Sequence, residues 1–132
     1  MKNGTFKVRG TVRSTTNEAK IAPLKQAFGE YFDQLELVEA DMLKEETLFK
    51  AIEGSTYVVH TASPFPIAKP KHEDVLIKPA VEGTMAVMRA AHKNKVKRVV
   101  ITSSVAAIYV SADKNKRDFS VEDWTDLKLA TP

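Results

Sequence analysis

Two basic residues early in the chain have the chemistry to bind a phosphate group. Arg13 follows an alternating apolar run directly, and Lys20 lies in the helical pattern that comes next. Near this point of a dinucleotide-binding fold, an acidic residue accepts a hydrogen bond from a ribose 2′-hydroxyl, whereas an arginine accommodates a 2′-phosphate. Arg13, with Lys20 as a second positive charge, therefore favours NADP over NAD. The alternative interpretation is a solvated arginine on a loop.

A cluster of hydroxyl groups follows the last strongly apolar run of the chain. Thr102, Ser103 and Ser104 come directly after Arg-Val-Val-Ile. A serine at the end of a buried strand can donate a hydrogen bond to a carbonyl oxygen as hydride arrives, which stabilises the developing negative charge. The alternative is a turn in which the serine hydroxyls bond to backbone groups.

Two further groups of candidate residues follow the middle strands. Asp41, next to Met42, has a carboxylate for an adenine amino group, or it caps the helix predicted from Lys44. The segment after the third strand offers small residues, which let a backbone pass close to a ligand: Thr61, Ala62 and Ser63, before Pro64. We interpret His60 as a core histidine.

Composition excludes several other kinds of site. The 132 residues suffice for one domain, 1–132, and contain no cysteine, so disulfides, cysteine-bound zinc, iron–sulfur clusters and thiol nucleophiles are excluded. Three histidines without metal-ligand spacing predict no metal site. No apolar run approaches the roughly 20 residues of a membrane helix, and no signal peptide is visible, so we expect a cytoplasmic protein with no membrane partner.

A basic cluster near the end of the longest helical pattern offers a nucleic-acid alternative. It consists of Lys93, Lys95, Lys97 and Arg98, in a chain whose net charge is only +3. Basic residues at a helix C-terminus complement the helix dipole without any ligand, and no aromatic residue is interleaved with these four. We therefore expect no nucleic-acid partner.

The apolar periodicity switches repeatedly between strand and helix. It predicts strands over 6–12, 35–40, 57–62 and 98–103 and helices over 17–31, 44–52 and 73–94, with a last short helix after a Ser120–Asp123 capping box. Pro79 should kink the long helix or mark its true start, and Met85 and Met88 read as core residues. The alternation predicts an α/β fold, a parallel sheet with helices on both faces, whose ligands bind at the carboxyl ends of the strands.

Six stretches, in order, resemble the extended short-chain dehydrogenase/reductases (the NAD(P)-dependent epimerase/dehydratase family), and most of all the dihydroflavonol reductase-like and cinnamoyl-CoA reductase-like branch. They are Val8–Arg13, Glu39–Asp41, Tyr57–Pro64, Ile77–Thr84, Lys97–Ser104 and Glu122–Asp126. The resemblance implies NADP-dependent reduction of a ketone or aldehyde to an alcohol, with a small-molecule carbonyl compound as substrate.

The same resemblance implies a role for each candidate residue. Arg13 and Lys20 would hold the 2′-phosphate, and Asp41 and Met42 would lie beside the adenine. Thr61, Ala62 and Ser63 would line the pyrophosphate and the nicotinamide ribose. Thr102 and Ser103 would lie along the nicotinamide, and Ser104 would be the catalytic serine that orients the carbonyl.

Two motifs of that family do not occur in the sequence. The glycines are too far apart for any Gly-x-x-Gly: Gly4, Gly10, Gly29, Gly54 and Gly83. The residues four positions after Tyr31, Tyr57 and Tyr109 are Leu35, Thr61 and Asp113, so no Tyr-x-x-x-Lys proton donor is present.

We therefore expect a partial Rossmann-like sheet whose first strand is missing, with open edges on the strands that begin near Phe6 and Tyr57. Such a fragment would have little or no activity alone. The alternative is a non-catalytic module that binds a nucleotide weakly, or that pairs with a partner or forms a dimer through the open edge.

Overall fold

The computed structural model describes residues 4–64 and 72–130, which contain four strands and three α-helices. In chain order they are β1 (Val8–Val12), α1 (Glu18–Phe28), β2 (Leu35–Glu39), α2 (Glu45–Ile52), β3 (Tyr57–His60), α3 (Asp74–Lys93) and β4 (Arg98–Ile101). Short 3-10 helices follow α1 and β4, at Gly29–Gln34 and Val105–Ala107. The seven elements predicted between 6 and 103 are confirmed in type and order, as is the α/β class.

The strands form two separate pairs. β1 and β2 are parallel, with Val8 opposite Leu35 and Val12 opposite Glu39. β3 and β4 form the second sheet. Among the described strands, no ladder joins β1 to β3, so each of these two strands is paired on one side only. This is the open slot expected between the strands that begin near Phe6 and Tyr57.

The hydrophobic core lies where α2 packs against α3. It contains Leu48 and Ile52 of α2 and the small side chains of Ala86, Val87 and Ala90 on α3. Val58 of β3 and Val96 pack against this cluster, which fixes one face of the second sheet. Small residues on α3 allow the two helices to approach closely, and the buried apolar area supplies the stabilisation.

Residues at both ends of α2 show how the helix stops and how it is bound to α3. Gly54 ends the helix region with a φ of 73°, a left-handed conformation that favours glycine, as predicted for a C-terminal stop. At the other end, the guanidinium of Arg89 on α3 donates to both carboxylate oxygens of Glu45, over 2.9 and 2.7 Å. This bidentate pair lowers the pKa of Glu45 and aligns the two helices.

One prediction for α3, and one of the two alternatives for Pro79, are wrong. Met85 and Met88 are 49% and 39% exposed, so they are not core residues. The buried face carries the smaller residues instead, because only these allow the close approach to α2. Pro79 is the sixth residue of a continuous helix that begins at Asp74, so it does not mark the start.

The predicted last helix is also wrong for the described part of the chain. The chain divides into two compact units, Met1–Val100 and Ile101–Pro132, and the described part of the second contains turns around Ser120. The Ser120 amide does donate to Asp123, over 2.7 Å, and Lys116 pairs with the same carboxylate. The following apolar side chains stay exposed, Trp124 at 79%, and a short helix without a buried face is not stable.

In the part of the chain that the structure describes, none of the helices combines the length and the hydropathy of a transmembrane span.

The α2–α3 contact generates a test of the fold. Leu48→Ala should lower the free energy of unfolding by about 2–5 kcal/mol, because Leu48 is only 6% exposed and its removal leaves a cavity. Leu43→Ala is the matched control, since Leu43 is 68% exposed and its loss should change the stability by less than about 1 kcal/mol. Urea unfolding followed by circular dichroism measures both; equal effects would contradict the packing described.

Candidate cofactor site

A cavity of about 690 Å³ opens at the carboxyl ends of β1, β2 and β3 in the first unit. Cavities that bind small ligands and cofactors typically have volumes of roughly 300–1,000 Å³. Five of the residues predicted for cofactor binding line it: Arg13, Asp41, Met42, Ala62 and Ser63. Apolar side chains of α2, α3 and β3 form the rest of its wall, among them Ile52, Val58 and Val87.

A second cavity, of about 370 Å³, lies between the end of β1 and the first turn of α1. Its lining consists of Val12, Arg13, Ser14, Asn17 and Lys20. Arg13 thus lines both cavities. In the described part of the chain, neither Arg13 nor Lys20 forms an ion pair with a carboxylate. Two cations without a counter-charge, beside a hydroxyl and an amide, make a site suited to an anion.

Arg9, on the strand that precedes Arg13, is used differently. Its Nη1 donates to the Ala51 and Glu53 carbonyls, over 3.0 and 2.8 Å, and so satisfies the C-terminal end of α2. Its Nε pairs with Glu36, its cross-strand neighbour, at 3.0 Å. Arg9 is therefore a structural residue, whereas Arg13, four residues further along the chain, is exposed and borders the cavities.

The loop after β2 is held in one shape by local bonds. The Asp41 carboxylate accepts from the Leu43 amide over 3.0 Å, and the Thr47 hydroxyl accepts from the Asp41 amide over 2.9 Å. The N-cap residue of α2 is Lys44, with no side-chain cap, so the alternative that Asp41 caps this helix is wrong. The carboxylate bonds within its own turn and borders the cavity.

Gly83 on α3 lets that helix approach the same loop. A Cβ atom at this position would lie 3.1 Å from the Cβ of Met42 and still closer to the end of the Met42 side chain. Met42 therefore packs directly on the backbone of α3, and this contact sets its position at the cavity wall.

His60 is a buried residue of the cavity wall, as interpreted from the sequence. It is 7% exposed, and its Nε2 lies 3.3 Å from the Thr84 hydroxyl oxygen. Burial lowers its pKa below the ordinary value, which keeps the ring neutral at pH 7. Thr61, the next residue, is exposed and does not line either cavity.

The three hydroxyl residues after β4 belong to the second unit. Thr102 and Ser103 are exposed, and Ser104 caps the 3-10 helix at Val105–Ala107 by accepting from the Ala106 amide over 3.2 Å. The turn alternative is thus present in the structure. The bond uses an oxygen lone pair of Ser104, so its hydroxyl hydrogen can still be donated to a substrate oxygen.

Some residues of the site were not singled out from the sequence. Ser14 and Asn17 line the second cavity, and Glu39 accepts two hydrogen bonds from Thr15. An asparagine directly before a helical pattern was the available signal for Asn17. The described residues contain no group of three or more His, Cys, Asp or Glu side chains placed to hold a metal ion.

The parallel strand pair, the helices packed beside it and the cavity at the strand ends are typical of an α/β fold of the Rossmann type. Residues 11–125 match the model of the 3-beta hydroxysteroid dehydrogenase/isomerase family, and the chain belongs to that family. This confirms the resemblance to the extended short-chain dehydrogenase/reductases.

Several curated plant reductases are similar to the chain. Tetraketide alpha-pyrone reductase 1 of Arabidopsis thaliana is 39% identical over 130 residues, which is 94% of this chain and 38% of the relative. Cinnamoyl-CoA reductase 2 of the same plant is 39% identical, covering 92% of this chain and 35% of the relative. The chain thus spans a little over a third of the length of these relatives.

Solved structures show the same fold. Gre2 from Candida albicans, in complex with NADPH, superposes with a TM-score of 0.77 at 30% identity, covering 96% of this chain and 38% of that one. Vestitone reductase from alfalfa has a TM-score of 0.68 at 29% identity, covering 97% of this chain and 37% of that one.

The burial of His60 predicts a pH effect on stability. Its pKa is lowered in the folded state, so the unfolded chain binds the proton more readily, and the free energy of unfolding should fall as the pH drops from about 7 through the unfolded value near 6.5 to the folded pKa. His60→Gln should remove this component, since glutamine does not titrate. His92→Gln, at an exposed position, should leave it intact. Urea unfolding between pH 5 and 8 gives the comparison; an unchanged pH dependence in His60→Gln would contradict it.

Proposed function

We propose that the chain is the cofactor-binding part of an NADP-dependent reductase that converts a ketone or aldehyde to an alcohol. One observation carries the proposal: Arg13 and Lys20 line one small cavity, beside the larger one, and have no carboxylate partner among the described residues. The reductases named among the relatives, and the NADPH complex of Gre2, support the same cofactor class.

The residues present fit the 2′-phosphoadenosine end of this cofactor. In the proposal, Arg13 and Lys20 bind the 2′-phosphate, and the Ser14 hydroxyl and Asn17 amide donate to its oxygens. Asp41 accepts from the adenine amino group, while Met42 packs on the ring. A 2′-phosphate suits this cavity because the positive charges are already placed there, whereas a ribose hydroxyl would leave them without a counter-charge.

The remaining roles rest on the family. Thr61, Ala62 and Ser63 are assigned to the pyrophosphate and nicotinamide ribose, and Thr102 and Ser103 to the nicotinamide. NADPH, when bound, supplies the hydride. Ser104 is proposed to donate its hydroxyl hydrogen to the carbonyl oxygen of the substrate, which orients the carbonyl and stabilises the charge that develops on oxygen.

We infer that these 132 residues alone reduce carbonyl compounds weakly or not at all. The sequence contains no Gly-x-x-Gly for the pyrophosphate and no Tyr-x-x-x-Lys for proton transfer. Positioned proton transfer typically contributes about 10²–10⁴-fold to the rate, so Ser104 cannot replace it.

A second candidate function is that of a partner-binding module, and the open edges of β1 and β3 favour it. Strands paired on one side present unpaired amides and carbonyls, which template pairing with another chain. In this proposal the slot accepts an extended segment, from a second copy or from another protein.

Nucleotide binding tests the first proposal. Arg13→Gln should weaken binding of adenosine 2′,5′-bisphosphate about ten- to hundredfold, the equivalent of one charge-assisted contact, and leave adenosine 5′-monophosphate unaffected. Arg117→Gln is the matched control, because Arg117 lies in the second unit and donates to the Lys114 carbonyl. Calorimetry of both nucleotides measures this; equal losses for the two nucleotides would contradict a 2′-phosphate site.

Activity and assembly separate the two functions. The purified chain with NADPH and a panel of ketones and aldehydes should show no NADPH oxidation above background. Analytical ultracentrifugation should show a dimer if the open edges pair with a second copy. A monomer that unfolds cooperatively would argue against the partner-binding module, and robust carbonyl reduction would overturn the inference of low activity.

A further inference from the structure

Glu39 bonds to the loop that carries Arg13. It is the last residue of β2 and lies opposite Val12, the last residue of β1. Its Oε1 accepts from both the amide and the hydroxyl of Thr15, over 2.8 and 2.9 Å. One carboxylate oxygen on β2 therefore holds two donors of the loop between β1 and α1.

The other side-chain hydrogen bonds of this loop are local. The hydroxyl oxygens of Ser14 and Thr16 lie 3.0 Å apart, and the Thr16 amide donates to Ser14 over 3.3 Å. Within the described residues, Glu39 is the side chain from outside the loop that hydrogen-bonds to Ser14, Thr15 or Thr16. The position of the loop relative to the sheet thus depends on it.

The same loop lines the second cavity. Arg13 and Ser14 precede Thr15 directly, and Asn17 follows two residues later; all three border the cavity. If the loop were free to move, an anion would have to order it on binding, and that ordering would reduce the affinity. A loop already tied to β2 presents the Arg13 guanidinium and the Ser14 hydroxyl without this loss.

The hydrogen bonds from Thr15 also stabilise the charged form of Glu39. They lower its pKa below the ordinary value, so the carboxylate is ionised at neutral pH and is a strong acceptor. A negative charge near a phosphate site repels the ligand, so its presence there calls for a compensating role. Holding Thr15 is that role.

We propose that Glu39 is a positioning residue: by accepting both donors of Thr15, it holds the Arg13–Asn17 loop in the shape that selects a 2′-phosphate. The inference rests on the proposed function, since it concerns the same anion site. It assigns to Glu39 no contact with the cofactor.

Three variants test it. Glu39→Ala removes the acceptor and should weaken binding of adenosine 2′,5′-bisphosphate about tenfold, with adenosine 5′-monophosphate unchanged. Glu39→Gln keeps an oxygen acceptor without the charge and should retain the wild-type ratio of the two affinities, or raise it by a few-fold. Glu36→Ala, on the same strand, removes the same charge but a different bond, to Arg9, and should leave the ratio unchanged.

Hydrogen exchange gives a readout independent of the ligand. The Thr15 amide should be protected in the wild type and in Glu39→Gln, and should exchange faster in Glu39→Ala. The Leu48-containing helix α2 serves as an internal reference, because its amides report any global loss of structure.

The outcomes separate this inference from the proposed function. A wild-type chain with no preference for the 2′-phosphate overturns both. A wild-type preference that survives in Glu39→Ala overturns the positioning role alone. A Glu39→Gln variant that loses the preference as fully as Glu39→Ala overturns it too, because charge rather than the hydrogen-bond acceptor would then matter.

Discussion

The structure depends on the absence of a ladder between β1 and β3. Each of these strands has one partner among the described strands, and the cavity at their carboxyl ends is lined by residues of both. The residues of both strands are largely exposed or half-buried, so water can reach the unpaired edges, and the slot is an opening for a ligand or a strand. The helices therefore have to supply the cohesion that a continuous sheet would otherwise provide.

That cohesion comes from a small number of contacts. Ala86, Val87 and Ala90 of α3 pack on Leu48 and Ile52 of α2, and Val58 attaches β3 to the same cluster. Arg9 then ties β1 to the end of α2 through two carbonyls. In this way one helix holds both strand pairs. The loops at the carboxyl ends are held by the same framework, and the charged residues on them take separate roles: Arg9 is bonded to protein, and Arg13 borders the cavities.

The local pattern predicted the elements well because strand and helix periods are properties of a few successive residues. At Pro79 and at the Ser120–Asp123 pair, the local pattern did not predict the observed structure correctly. A proline six residues into a helix is tolerated when the rest of α3 is stabilised by packing, and a capping pair forms no helix when Trp124 and its neighbours have no surface to pack against. The prediction for Met85 and Met88 is wrong for a related reason. Periodicity shows that a helix has an apolar face, but the close contact with α2 decides that the face with Ala86, Val87 and Ala90 is the buried one.

The sequence by itself determined the α/β class, the order of the elements through β4, the family and the positions at which cofactor residues can stand, because residue type, periodicity and motif order carry this information. Only the tertiary structure decided that the strands form two pairs, and that Arg13, Asp41, Met42, Ala62 and Ser63 share one cavity that Thr61 does not line. It also decided that Glu39 bonds to the loop that carries Arg13. The physical reason is that these features depend on contacts between residues distant along the chain. Thr15 and Glu39 are 24 residues apart, and the register of two strands brings them within hydrogen-bond distance.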